Sequence, residues 1–176
     1  ECAVFDVRTG RRVRTIRSSR GFIASPPTVA WSPDGSRLAL NTQLEFNGRS
    51  GEKIAFARTG HHLDQIEKAF DTCKYGQFSA DPILDIHIPT VSNPDLSPPG
   101  HSVVSILVHF VPYELQARWD RDQVEKLGDT VVNTLAQYAP GLTDAIVARQ
   151  VLTPLDLEQR YGLVQGHILH GEHALD

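Results

Sequence analysis

Residues 150–172, QVLTPLDLEQRYGLVQGHILHGE, place the end of a strand, a capped helix and a turn within a short span. Val151 and Leu152 close a strand, and Thr153 stands where a helix N-cap oxygen is needed. Pro154 follows at the first helical position, where its missing N–H leaves no bond unmade, and Gly162 suits the left-handed residue that ends a helix. The spacing predicts a helix of one to two turns over Leu155–Tyr161, held between two tight turns, with a His-rich segment after it.

Working outward, Ala145–Leu152 reads as the final strand. Before it, Asp120 caps a helix, Gln123 stands in the capping-box position, and Val124, Leu127, Val131 and Leu135 form a buried stripe that Ala139-Pro140-Gly141 ends. Val103–Val111 is apolar at nearly every position, as in a strand covered on both faces. Leu84, Ile86 and Ile88 alternate with Ile83, Asp85 and His87, which predicts a strand with one apolar face. Between these strands Pro89–Gly100 carries four prolines and reads as an irregular surface connection. Leu63, Ile66, Phe70 and Cys73 recur at helical spacing, so Leu63–Lys74 is an amphipathic helix that stops at Tyr75-Gly76. The sum is an α+β fold, an antiparallel or mixed sheet with helices on one face, preceded by a small β-hairpin segment.

That first segment reads as β throughout. Ala3–Val7 and Arg12–Ile16 are strands about an Arg8-Thr9-Gly10 turn, and Thr28–Trp31 pairs with Arg37–Leu40 across Ser32-Pro33-Asp34-Gly35. The two phrases VFDVRTGRRVRTI and VAWSPDGSRLAL resemble one blade of a WD40- or TolB-type β-propeller, a hairpin in any β-rich domain being the alternative. One blade cannot bury both its faces, so a self-contained propeller is excluded. Residues 43–60 form a junction with one short strand at Lys53–Ala57.

The 150–172 stretch resembles the phytoene-desaturase-like FAD-dependent oxidoreductases, the group that includes animal proteins with a pyridine nucleotide-disulfide oxidoreductase domain. His62–Gly76, Pro82–Gly100, Val103–Tyr113 and Leu127–Leu142 resemble successive segments of the same enzymes in the same order, so the likeness covers roughly residues 57–176. It divides the chain into a β-hairpin or blade-like segment with its junction, residues 1–56, and a partial substrate domain, residues 57–176. The resemblance implies an apolar small-molecule substrate and an FAD cofactor that performs the hydride chemistry while protein side chains shape the pocket. It sets His109 and Tyr113 toward the substrate and His167, His170 and Glu172 near the flavin, and it assigns no catalytic residue. The family pattern carries two glycines before the first of these histidines. Gln165-Gly166 stand here, a departure that argues against close backbone approach at that turn.

The residues themselves exclude much else. A dinucleotide cradle needs a Gly-rich turn between strand and helix, and no G-x-G-x-x-G occurs, so FAD is not expected on this chain alone. His167, His170 and His173 recur every third residue, a spacing that converges three imidazoles on neither a helix nor a strand, so no metal site is expected. No G-x-S-x-G nucleophile elbow is present. A net charge of −4 and only two tryptophans give no case for nucleic acid, and the arginine run from Arg11 to Arg20 reads as a solvated hairpin edge. No apolar run reaches the roughly 20 residues of a spanning helix. Cys2 and Cys73 lie far apart and are expected as reduced thiols in a cytosolic or other reducing compartment. A chain that opens on Glu1 and holds no methionine is expected to be a fragment. The leading expectation is therefore part of a flavin oxidoreductase that lacks the FAD-binding half. The alternative is a non-enzymatic interaction module whose propeller-like unit docks partners through its arginine edge.

Overall fold

The structure, a computed structural model, describes residues 2–5, 12–16, 36–60 and 62–167. Cys2–Phe5 (β1) and Arg12–Ile16 (β2) form a separate two-stranded antiparallel sheet. The main sheet follows from alternation with period two, which sends every second side chain to one face. In Ser36–Leu40 (β3), Ser36, Leu38 and Leu40 are buried while Arg37 and Ala39 are half-covered. With Phe56–Arg58 (β4), Leu84–His87 (β5), Ser102–Val108 (β6) and Ile146–Val151 (β7) it makes a five-stranded antiparallel sheet ordered β4-β5-β6-β3-β7. The register sets Leu38 beside Val104, Ile86 beside Ile106 and Leu84 beside Val108, so the buried residues of three strands fall in line.

One helix covers that line. Arg121–Ala136 (α3) starts at Asp120, whose side chain accepts from the Gln123 amide at 2.8 Å. Of the predicted stripe, Leu127, Val131 and Leu135 are buried against the sheet with Val132 beside them, while Val124 is only half-covered. Each such side chain contributes about 1.5–3 kcal/mol of burial. The helix comes so close to β7 that a Cβ on Gly128 would meet the Val151 side chain at 2.9 Å and the Arg149 guanidinium at 3.0 Å. Arg149 fixes the same contact by gripping Glu125 at 2.5 Å and Asp129 at 2.6 Å. Burial alone would lower the Arg149 pKa, but its bonds to Asp129 and Glu125 outweigh that and hold it above its ordinary value. Among the described residues no helix is long and apolar enough to cross a membrane.

Four expectations change. Arg37–Leu40 does not close a hairpin with Thr28–Trp31, which lies outside the described residues as does the Ser32–Gly35 turn. Both edges of β3 are taken, one by β6 and one by β7, so a strand grouped with the first 56 residues is interior to the sheet. The Pro89–Gly100 stretch is not irregular throughout: Pro89–Ser92 (α2) and the 3-10 turn Pro94–Leu96 each begin on a proline, where a missing N–H is harmless. β6 is not covered throughout on both faces: Val103 and Leu107 remain partly open on its second face, with Ser105 buried between them.

The fourth concerns Leu63–Lys74 (α1), which has the predicted bounds but a different buried stripe. Ala69 is buried and Gln65, Ile66, Thr72 and Cys73 are half-covered, whereas Leu63 is 69% and Phe70 46% exposed. A small alanine permits close approach, and Gln65 bonds Asp81 at 2.7 Å, so the helix docks through its small and polar side. Leu142–Ala145 (α4), entered from Gly141 at φ 80°, and Pro154–Tyr161 (α5) complete the elements. Leu135→Ala should lower the unfolding free energy by about 2–5 kcal/mol in urea titrations. Leu63→Ala should change it by less than about 0.5 kcal/mol, and a large loss at Leu63 would contradict this placement of α1.

Candidate functional site

The sheet face away from α3 carries the residues that alternate with the buried line. There Phe56, Arg58, Asp85, His87, Ser105 and Leu107 surround a shallow hollow of about 540 Å³. Phe56, 71% exposed, stands directly across from His87 on β5, and their rings stack at 4.3 Å and 3°. Arg58 stands across from Asp85, which in turn stands across from Leu107. His109, two residues past Leu107, extends the ladder through its amide to the Ile83 carbonyl at 2.9 Å.

This register brings three polar side chains together. Arg58 Nε lies 2.7 Å from Asp85 Oδ1 and Nη2 3.3 Å from Oδ2, a two-pronged grip. His109 Nε2 lies 2.8 Å from the same Oδ2. Arg58 and Asp85 are 61% and 39% exposed, so the pair offers orientation more than stability. After His109 the backbone turns through Phe110 at φ 59°, a left-handed conformation uncommon for an aromatic residue. Phe110 meets Phe70 edge-on at 5.5 Å.

A second cluster forms around α5. Thr153 accepts from the Asp156 amide at 3.1 Å while the Asp156 carboxylate accepts from the Thr153 amide at 2.9 Å, a complete capping box that T-x-x-D in the sequence could have announced. Gly162 closes the helix at φ 69°, as expected. The Tyr113 hydroxyl donates to Glu158, whose other oxygen accepts from the Gln165 amide at 3.0 Å. That bond to Glu158 raises the Tyr113 pKa, and the same bond, with the Gln165 amide, lowers that of Glu158. Trp119 Nε1 pins the loop by donating to the Tyr113 carbonyl at 3.1 Å.

Close backbone approach does occur at the turn, against the sequence expectation. A Cβ on Gly166 would stand 2.4 Å from the Pro154 carbonyl oxygen. Gln165 itself takes φ 51°, so the position where the family pattern has glycine keeps a glycine-like conformation with a glutamine in it.

The candidate residues thus divide. His109 belongs to the open face with Asp85 and Arg58, while Tyr113 is bound to Glu158 at the turn that leads to His167. His167 is exposed and its amide donates to the Val164 carbonyl at 2.9 Å. His170 and Glu172 lie outside the described residues, as does His173. Sequence reasoning missed Asp85 and Arg58. Asp85 was visible as the polar partner of an alternating strand, whereas nothing in the junction pointed to Arg58.

No G-x-G-x-x-G turn joins a strand to a helix among the described residues. The main sheet is antiparallel, α2 and α5 each begin with proline, and the α5 N-terminus is filled by the Asp156 carboxylate, which would repel a phosphate. Neither the α2 nor the α5 N-terminus fits a flavin pyrophosphate.

No protein-family model matches the chain. It is 36% identical over 143 residues to the Rattus norvegicus protein named pyridine nucleotide-disulfide oxidoreductase domain-containing protein 2, a match covering 77% of this chain and 25% of that protein. The Mus musculus protein of the same name is 36% identical over 113 residues, covering 63% of this chain and 19% of its own length. The chain therefore spans about a quarter of the length of these curated relatives. A match over 77% is wider than residues 57–176 hold, so the likeness reaches upstream of residue 57, where β3 contributes an interior strand.

Two outcomes test the turn. Gly166→Ala should cost about 2 kcal/mol or more in urea titrations, because the methyl group meets backbone and the φ of 69° favours glycine. The stability difference between the unmodified chain and Tyr113→Phe should depend on pH. Glu158 is lowered, so its share is full above the ordinary carboxylate value of about 4.3 and lost as pH falls through the lowered value. Tyr113 is raised, so its share is full below about 10 and lost as pH rises through the raised value. A pH-independent difference would contradict the bond.

Proposed function

We propose that this chain supplies the substrate-facing layer of an FAD-dependent oxidoreductase of the phytoene-desaturase-like kind, acting on an apolar molecule by dehydrogenation or isomerisation. The observation that carries this reading is the one-sided sheet. One face packs against α3, and on the other Phe56, His87, Ser105 and Leu107 line a hollow that, among the described residues, no helix lines. An apolar and aromatic wall of that kind suits a ligand more than bulk water. The likeness to two proteins named for an oxidoreductase domain supports the reaction class.

In this reading FAD sits on portions of the longer relatives that this chain does not match, and supplies the hydride chemistry there. The residues of this chain bind the substrate, orient it and exclude water from it. Titrating 1-methoxyoctane into isotope-labelled chain should shift the amide signals of Phe56, His87, Ser105 and Leu107, and Leu107→Asp should weaken that response at least about fivefold. The purified chain should carry no flavin absorbance. Shifts confined to α1, or a flavin that co-purifies, would sink the proposal.

A further inference from the structure

We infer that His109 is a specificity residue, whose Nδ1 accepts a hydrogen bond from a hydroxyl group on an otherwise apolar ligand, with Asp85 as its positioning residue. The inference rests on the open face being the substrate wall. A carboxylate only accepts, so the His109 Nε2 lying 2.8 Å from Asp85 Oδ2 must carry the proton. Arg58 Nη2 also lies 3.3 Å from Nε2, but that nitrogen cannot donate to Asp85 and accept from Arg58 together. Arg58 is satisfied by its two-pronged grip on Asp85, and the tautomer follows from the shorter contact.

With Nε2 carrying the proton, the neutral form of an imidazole bares a lone pair on Nδ1. Nδ1 has no hydrogen-bond partner among the described residues, the side chain is 26% exposed, and this nitrogen is not among the enclosed polar atoms without a partner. It is an acceptor accessible at the surface, on the ring whose Nε2 meets the Asp85 that lines the hollow. By contrast, the Tyr113 hydroxyl is engaged by Glu158. The ring is held in place as well: Phe110, at its left-handed φ of 59°, lies 6.0 Å from His109. Because Arg58 already matches the charge of Asp85, nothing at this corner calls for a cation, and the complementary group is a neutral hydroxyl.

The test compares 1-octanol with 1-methoxyoctane on chain labelled with nitrogen-15 in its histidine rings, at about pH 8.5, where imidazole is ordinarily neutral. The His109 signals should report one tautomer, protonated at Nε2. The alcohol should bind about fivefold more tightly than the ether, the factor that one net hydrogen bond supplies, and should move the Nδ1 resonance. His109→Phe, which keeps an apolar ring, should bind the two molecules equally. Asp85→Leu should lose both the single tautomer and the preference; should that variant lack a dispersed amide spectrum, His109→Phe carries the comparison. A proton on Nδ1 in the unmodified chain, or equal binding of alcohol and ether there, overturns the inference and leaves the wall intact. Failure of both molecules to perturb the open face overturns the wall and this inference with it.

Discussion

The packing of α3 against one face of the sheet is the constraint from which the other features follow. Leu127, Val131 and Leu135 meet the buried residues of β3, β5 and β6, and the close passage at Gly128 leaves no room for a second orientation. Since a strand alternates with period two, sealing one face decides the other without further choice. Phe56, Arg58, Asp85, His87 and Leu107 stand together because their neighbours in sequence are committed to the core.

Much of this was legible wherever a local rule and the tertiary structure agree. The bounds of α1, the strand at Leu84, the Asp120 cap and the Thr153-Pro154 start all follow from spacing and cap chemistry. What failed needed three-dimensional knowledge. Arg37–Leu40 alternates equally well as half of a hairpin or as an interior strand, and only the β3 partners 62 to 115 residues away decide. The α1 stripe was misjudged because hydrophobicity favoured Leu63 and Phe70, whereas fit favoured Ala69 and a hydrogen bond from Gln65. Val103 and Leu107 read as buried because apolar residues on a partly open sheet face have the composition of a core.

The candidate site was less legible than the fold. His109 stood out as a histidine in an apolar strand, but its meaning depends on Asp85 and Arg58, which two other strands deliver by register. Tyr113 and His109 lie four residues apart in sequence and join separate clusters, one tied to α5 and the other to β5. Glycine-like geometry at Gln165 shows that a turn can keep its shape when the residue best suited to it is replaced, at about 1–2 kcal/mol of local strain.

Irradiating the chain with a long-chain alkyl diazirine and mapping the adducts by peptide mass spectrometry tests the ligand wall most directly. The account predicts adducts on Phe56, His87 and Leu107. Adducts gathered on Leu63 and Phe70 of α1, with the sheet face untouched, would contradict it.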